Sequence, residues 1–501
     1  MNADGMGRGG PGAAGPAVAG GMFAGGEGWV ARHWRNRFRE ESPAPAGRAP
    51  VEPLAGQGPD RLRCGLLFRW WGSAWVRTRA RPSLWLLALV LTCGLLVEVS
   101  AADGSWRFDF GSGACAAGWV QVTAKDRYDP VRGWGFDLGC VPEDFAEEGP
   151  TELLSDGVTS EQPFFFSVRV PEGNHRVVVT LGRLGAGSTN WIKAESRRLM
   201  AERVVTEPGR FVTVAFTVNV RTPRLPDGRL VRLKAREENV LHWDDKLTLE
   251  FSGVRPAVTA VEIDPDPSAP TIFLLGDSTV TDQPEEPWCS WGQILPRFFR
   301  CGVAVANHAE SGESLTSSLR ALRVEKVLSQ LRAGDFVFLQ YGHNDQKERG
   351  EGAGPHGNYR TNLIRVIEAV RVRGAEPVLV TSMERKAGVE RPTLGEYPEA
   401  MRRVAREWDV PLLDLNRMSV VLYGALGPAL DRAFVDGSHH TVDGAYLLAR
   451  CVVAGIQERG LSVGRYLVPD LGAFDPAHPP GPDRLYVPPS PQRSERRPDG
   501  S

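Results

Sequence analysis

Apolar and polar residues alternate with a period of two between residues 104 and 263, the pattern of strands with one buried face. Two such runs, 164–170 and 176–181, flank a Pro-Glu-Gly-Asn turn, which predicts a hairpin. Further strands are predicted at 211–220, 230–234, 246–251 and 258–263. Several short strands separated by turns, without helical runs, predict an all-β sandwich over residues 103–263.

The pattern changes after a proline-rich linker at 264–270. Short apolar runs then alternate with segments of helical period, which predicts a mainly parallel sheet covered by helices on both faces over 271–468. The predicted strands are 272–275, 303–306, 336–341, 378–381 and 411–415, and the predicted helices are 314–329, 359–373, 397–408 and 444–459. Prolines accumulate in 469–501, and we expect a disordered tail there.

The first hundred residues carry a different signal. Residues 1–82 are low in complexity and rich in Gly, Ala, Pro and Arg, so we expect disorder. Residues 83–102 combine preceding arginines, an apolar run at 84–97 and a small-residue site, which predicts a secretory signal peptide. The run is shorter than the roughly 20 residues that span a membrane, which favours a cleaved signal peptide. A retained membrane anchor is the alternative. A secreted or periplasmic protein without a stable membrane partner is therefore expected, unless the signal is kept as an anchor.

Composition narrows the function classes. The chain has 501 residues and a net charge of −2, which gives no global reason to expect nucleic acid as a partner. Its seven cysteines show no zinc-ligand spacing, so no metal is expected. A disulfide between Cys115 and Cys140 would suit a secreted sandwich. Neither a phosphate-binding nor a dinucleotide loop is present, and no cofactor is expected.

Chemistry-bearing residues form four islands, each next to a predicted strand end or the final helix. They are Gly276-Asp277-Ser278, the segment 307–314, the segment 341–345 and the segment 435–440. Because the carboxyl ends of parallel strands converge at one edge of a sheet, these distant islands can meet. The serine after the first strand is the candidate nucleophile.

These islands, in this order, resemble the SGNH (GDSL-like) hydrolase superfamily. The resemblance lies in Gly-Asp-Ser, a glycine after the second strand, Gly-x-Asn-Asp and Asp-x-x-His. Residues 309–314, 340–346 and 436–439 look most like rhamnogalacturonan acetylesterases, in particular bacterial members with an added N-terminal galactose-binding-like sandwich. The resemblance implies an SGNH three-layer α/β/α domain over 271–468, preceded by that all-β sandwich.

The resemblance also implies roles for individual residues. Ser278 would be the nucleophile, His439 the general base and Asp436 the carboxylate that orients it. The backbone N–H groups of Ser278 and Gly312 and the side-chain amide of Asn344 would form the oxyanion hole. The neighbouring His440 is an alternative to His439 that the Asp-x-x-His spacing disfavours.

The function implied is a secreted serine esterase that removes acetyl groups from plant cell-wall polysaccharide, in particular pectic rhamnogalacturonan. Because a pectic backbone is acidic, Lys347, Arg385 and Lys386 are candidates to face it. Acetylated xylan or another glycan is the alternative substrate. A catalytically inert carbohydrate-binding protein is the alternative class, motivated by Trp191 and Trp243, which could stack on sugars or pack in the core.

Overall fold

The structure, a computed structural model, describes residues 104–469, 471–481 and 485–499. The predicted low-complexity extension and signal segment lie outside these residues. Within the described ranges, every helix is too short or too polar to cross a bilayer.

The first domain is built from strands β1 to β12, which form two sheets. One sheet has the order β10-β7-β12-β1-β2; in addition, β5 pairs with β12, and β4 pairs with β5. The other sheet has the order β3-β6-β11-β8-β9. Their inner faces enclose an aromatic-rich core that includes Phe108, Phe136 and Phe166. The strands are Trp106–Phe110, Val120–Val122, Trp134–Gly139, Glu143–Ala146, Asp156–Thr159, Phe164–Arg169, Gly173–Arg183, Ser188–Ala194, Arg198–Thr206, Arg210–Val220, Lys246–Val254 and Ala257–Pro265.

Two expectations about this domain are wrong. Residues 230–234 do not form a strand; Val231 instead packs beside Leu225 in a small separate cluster. Cys115 and Cys140 are both free thiols, because Cys115 faces the carbonyl of Trp119 whereas Cys140 faces Ser160 and the carbonyl of Pro163.

The second domain has a five-stranded parallel sheet of order β14-β13-β15-β16-β17. Alternate residues of β13 enter different cores: Ile272 and Leu274 pack with α1, α6 and α8, whereas Phe273 and Leu275 pack with α3, α4 and α5. The three layers therefore agree with the predicted α/β/α domain. The strands are Thr271–Gly276, Ala304–Asn307, Phe336–Gln340, Glu376–Val380 and Leu412–Leu413, and helices α1 to α8 are Trp291–Ile294, Leu315–Arg320, Arg323–Gln330, Asn358–Arg371, Tyr397–Glu407, Leu415–Leu426, Leu430–Ala433 and Val442–Glu458.

The single helix predicted over 314–329 is instead two, α2 and α3. The break falls at Leu322, whose φ of 64° lies in the left-handed region. A residue in that conformation cannot continue a right-handed helix.

The two domains share an interface with both apolar and charged contacts. Trp191 and Leu199 of the sandwich belong to the same apolar core as Trp291 of α1. Arg198 of β9 pairs with Asp282, in the loop after β13, at 2.6 Å between Nε and Oδ2, and both side chains are buried. Trp191 and Trp243 are likewise buried, which favours packing over sugar stacking.

The expectation of disorder after residue 468 is wrong for residues 485–499. Glu286 donates its backbone N–H to the carbonyl of Gln492 and accepts the N–H of Ser494, which holds this segment as a short parallel bridge. Ser490 is buried and contacts carboxylates of both domains, Glu250 at 2.6 Å and Glu286 at 3.0 Å. Proline removes donors but does not prevent such pairing at an edge.

Candidate active site

Ser278 lies in a tight turn directly after β13, at the point of the sheet where the strand order reverses between β13 and β15. Open parallel sheets place ligands at such a switch point. The turn requires Gly276, because a Cβ there would lie 2.6 Å from a methyl group of Val280 and 2.8 Å from the carbonyl of Gln340. The backbone carbonyl of Asp277 accepts the N–H of Val280 and so closes the turn.

The structure brings Ser278, His439 and Asp436 together in a hydrogen-bonded chain. The Ser278 hydroxyl lies 2.9 Å from His439 Nε2, and His439 Nδ1 lies 2.9 Å from Asp436 Oδ2. Asp436 is fixed by the backbone, since its Oδ1 accepts the N–H groups of Ser438 and His439 at 2.7 Å each. A hydroxyl, an imidazole and a carboxylate in this order can generate a nucleophile.

Asp436 is ionised in this arrangement. Burial acts to raise its pKa, but the hydrogen bond and charge of His439, together with the backbone N–H bonds, hold the pKa well below its ordinary value. A carboxylate that stays charged orients the imidazole and stabilises its protonated form.

The adjacent His440 points elsewhere. Its Nε2 lies 2.9 Å from the hydroxyl of Tyr423, and its ring packs on Phe434 with centroids 4.3 Å apart. Burial, and then the charge of His439, lowers the pKa of His440 to about 3. The geometry therefore distinguishes the two imidazoles: the His439 ring contacts Ser278, whereas the His440 ring contacts Tyr423 and Phe434.

The other predicted islands reach the same place. Gln283 donates to the Ser278 carbonyl at 2.8 Å and to the Ser311 hydroxyl at 3.4 Å, which ties the loop of Gly312 to the Ser278 turn. Gly312 has a φ of +77°, a conformation that favours glycine. The Asn344 amide donates to the carbonyl of Glu313 at 3.1 Å, next to Gly312. This bond uses one of the two N–H groups of the amide.

Asp277 and His343 connect two of these loops. His343 Nδ1 lies 3.2 Å from Asp277 Oδ2, while the other carboxylate oxygen of Asp277 accepts both donors of Thr279. Burial alone would raise the pKa of Asp277, but the facing His343 and the Thr279 bonds lower it overall. The pair supports the loop that carries Asn344.

Some residues of the site were not predicted from the sequence. Trp288 packs edge-on against His439 with centroids 5.6 Å apart. Lys234 and Arg236, from the first domain, contact the loop of Gly312: the Lys234 ammonium donates to the Ser311 carbonyl, and Arg236 Nε lies 2.7 Å from Glu310. No local motif marks these positions, because their contacts join distant segments.

The predicted basic residues divide into two groups. Lys347 donates to the side-chain amide oxygen of Asn344 at 3.1 Å, and Arg385 donates to the backbone carbonyl of His343 at 3.3 Å, so both lie beside the site. Lys386 instead pairs with Asp431 at 2.6 Å. Two of the three candidates are therefore placed to influence an acidic ligand.

Both domains of the chain are similar in sequence to known proteins. Residues 274–446 match the sequence model of the GDSL-like Lipase/Acylhydrolase family, and residues 106–197 match the Beta-agarase/YXIM esterase-like, galactose-binding domain-like model. The rhamnogalacturonan acetylesterase RhgT of Bacillus subtilis is 39% identical over 219 residues, which cover 39% of this chain and 94% of that protein. The uncharacterized esterase YxiM of Bacillus subtilis is 27% identical over 399 residues, which cover 76% of this chain and 98% of that protein. The crystal structure of the YxiM protein aligns with a TM-score of 0.38 at 25% identity, covering 72% of this chain and 99% of that one.

Proposed function

Because this chain belongs to the GDSL-like lipase/acylhydrolase family and carries a galactose-binding-like domain, we propose that it removes acetyl groups from pectic rhamnogalacturonan. The observation that carries the proposal is the contact of the Ser278 hydroxyl with His439 Nε2 at 2.9 Å, while Asp436 contacts the other ring nitrogen of His439. The similarity to RhgT supports the choice of ester and of polysaccharide.

In the first half of the reaction, Ser278 Oγ attacks the acetyl carbonyl carbon while His439 Nε2 takes the hydroxyl proton. The tetrahedral intermediate then collapses, the ester C–O bond breaks, and His439 returns the proton to the departing sugar oxygen. Asp436 keeps the Nδ1 proton of His439 in place, which leaves Nε2 free to accept. The product of this half is an acetylated Ser278 and a free sugar hydroxyl.

In the second half, water attacks the acetyl-enzyme and gives its proton to His439, which passes it to Ser278 Oγ as acetate leaves. Both tetrahedral intermediates carry an oxyanion. The N–H groups of Ser278 and Gly312 and the second N–H of Asn344 are its proposed donors. Each such donor is typically worth about 3 kcal/mol of transition-state stabilisation.

An acidic polysaccharide also suits the charges beside the site. Lys347 and Arg385 lie beside the loop of Asn344, whereas Lys234 and Arg236, which reach the loop of Gly312 from the first domain, already pair with Glu313 and Glu310. The cations of Lys347 and Arg385 would attract a uronate-bearing chain. We further propose, from the sequence of 83–102 alone, that the protein is secreted; N-terminal sequencing of the mature protein tests this.

Acetate release tests the proposed substrate. Acetylated rhamnogalacturonan and acetylated xylan, matched for acetyl content, are incubated with the enzyme and with Ser278→Ala. We expect the rhamnogalacturonan rate to exceed the xylan rate at least tenfold, and Ser278→Ala to lose at least a thousandfold with either substrate, because the variant has no nucleophile.

The outcomes separate the parts of the proposal. Faster release from xylan would contradict the substrate but keep the mechanism. Unchanged hydrolysis by Ser278→Ala would contradict the mechanism. If the wild type binds the glycan but releases acetate from neither substrate, the protein would instead be a catalytically inert carbohydrate-binding protein.

A further inference from the structure

The C-terminal segment 485–499 crosses from the sandwich to the catalytic loops and is anchored along its middle. The buried ammonium of Lys193, on β8, donates to the Pro488 carbonyl at 2.7 Å and to the Ser490 hydroxyl at 2.8 Å. Trp288, which packs on His439, donates its indole N–H to the Ser494 carbonyl at 3.2 Å. These contacts direct residues 495–499 toward the active site.

At the end of this segment, Arg497 contacts the carboxylate of the catalytic triad proposed above. Its Nε lies 2.6 Å from Asp436 Oδ2, the same oxygen that accepts from His439 Nδ1 at 2.9 Å. Because both groups touch one oxygen, the guanidinium and the imidazole lie within about 6 Å of each other. The Arg497 side chain is 52% exposed and that of Asp436 is 17% exposed, so the pair is partly hydrated.

From this geometry we propose that Arg497 is a positioning residue that acts through Asp436 and sets the pH dependence of the esterase. The guanidinium of Arg497 partly neutralises the carboxylate of Asp436, so this carboxylate stabilises the protonated form of His439 less. Neutral His439 is the form that accepts the Ser278 proton. Arg497 therefore extends activity to lower pH. The inference rests on the proposed function of Ser278, His439 and Asp436.

Other charged groups also face this site and would act on the same imidazole. His343 pairs with Asp277, and Arg385 and Lys347 lie on the loops beside that pair, whereas His440 is neutral above its lowered pKa of about 3. Arg497 differs from these in touching the Asp436 carboxylate itself. Its removal should therefore shift the pH profile more than the neutralisation of a neighbouring cation.

The experiment is the pH profile of kcat/KM with a small acetyl ester, which avoids any effect on glycan binding. Arg497→Gln should move the acid limb upward by about 0.5 pH unit, the size expected for one partly hydrated charge at this separation. At a pH below the limb, kcat/KM should fall about threefold relative to the wild type, and above it the two should coincide. Addition of about 0.5 M salt should move the acid limb of the wild type toward that of Arg497→Gln, because salt screens the charge of the partly exposed Arg497.

Three further variants make the result specific. Arg497→Lys retains the cation and should restore the wild-type limb. Arg496→Gln removes the same charge one residue away and should leave the limb in place. A chain that ends after Glu495 loses Arg497 together with Arg496 and with Asp499, which pairs with Arg236, and it should still move the limb upward.

The inference is overturned if the acid limbs of the wild type and Arg497→Gln coincide, if the limb moves downward, or if Arg496→Gln shifts it equally. Activity of Ser278→Ala, measured in parallel, distinguishes the two levels. Retained hydrolysis by Ser278→Ala contradicts the proposed function itself. Loss of hydrolysis in Ser278→Ala together with an unmoved limb in Arg497→Gln contradicts only the role of Arg497.

Discussion

Two carboxylates near the site, the half-buried Asp436 and the buried Asp345, have opposite electrostatic environments. Asp436 accepts hydrogen bonds from two backbone N–H groups, from His439 and from Arg497, and its pKa is held well below the ordinary value. Asp345 accepts one from the N–H of Leu315, and its Oδ2 has no hydrogen-bond partner among the described residues. Burial, opposed by too few donors, raises the pKa of Asp345 to about 8. The deeper burial of Asp345 and its smaller number of donors thus leave it uncharged at neutral pH, whereas Asp436 is charged.

The raised pKa of Asp345 predicts a pH-dependent stability. Between its unfolded pKa, about 4, and its folded pKa, about 8, the folded state holds a proton that the unfolded state has lost, so the free energy of unfolding decreases as pH rises. Asp345→Asn keeps the acceptor for Leu315 but cannot ionise. We expect urea unfolding to show that, between pH 5 and pH 8.5, the free energy of unfolding falls by on the order of a few kcal/mol more in the wild type than in Asp345→Asn. Equal losses in the two proteins would contradict this assignment, and other buried acids such as Glu195 contribute equally to both.

At the scale of elements, helix α8 begins in close contact with the loop that carries Asp436 and His439. A Cβ on Gly444 would lie 2.1 Å from the Ala433 carbonyl and 3.0 Å from the His440 ring. Gly444→Ala must therefore push the helix away from the loop, and we expect a loss of about 1–3 kcal/mol in the free energy of unfolding. The turnover of a small acetyl ester should also fall, because the loop positions both groups. Urea unfolding and kcat check the two effects.

Gly424→Ala is the matched control, since Gly424 also lies in a helix, α6, but its Cβ would meet nothing within 4 Å. Alanine has the higher helix propensity, so this variant should gain about 0.5–1 kcal/mol with unchanged kcat. A similar response of both variants would show that the packing of α8 on the loop is not what constrains Gly444.

The elements that the sequence predicted and those it missed differ in where their side chains go. Strands β13, β14, β15 and β16 are short apolar runs buried on both faces, and their predicted bounds fall within two residues of the observed ones. Strands β8 and β9 carry Asn190, Lys193 and Arg198 at buried positions, where distant segments supply their partners. Buried polar residues hide the period of two. Arg497 was missed for the same reason, because a polar, proline-rich sequence does not reveal which carboxylate it will meet.

At the scale of the whole molecule, the sandwich braces the turn that follows Ser278. Arg198 pairs with Asp282, and Arg197 donates to the carbonyls of Gln283 at 3.0 Å and Trp288 at 2.9 Å. Gln283 in turn holds the Ser278 carbonyl. The first domain is therefore part of the support of the active site, and the two domains should respond together when a contact between them is removed.

The buried Arg198–Asp282 pair provides the test of that coupling. Arg198→Met leaves the Asp282 carboxylate buried without its cation, so we expect the free energy of unfolding to fall by about 3–5 kcal/mol. Asp282→Asn in the same background should recover part of this loss, because a neutral amide has a smaller desolvation penalty than a carboxylate. Arg107→Met makes the same substitution at a partly exposed surface site, where the arginine pairs with Glu262 and Asp264, and should change stability by less than about 1 kcal/mol. Urea unfolding of the four proteins measures these differences, and equal effects at Arg198 and Arg107 would mean that the domain interface is hydrated and does not brace the Ser278 turn.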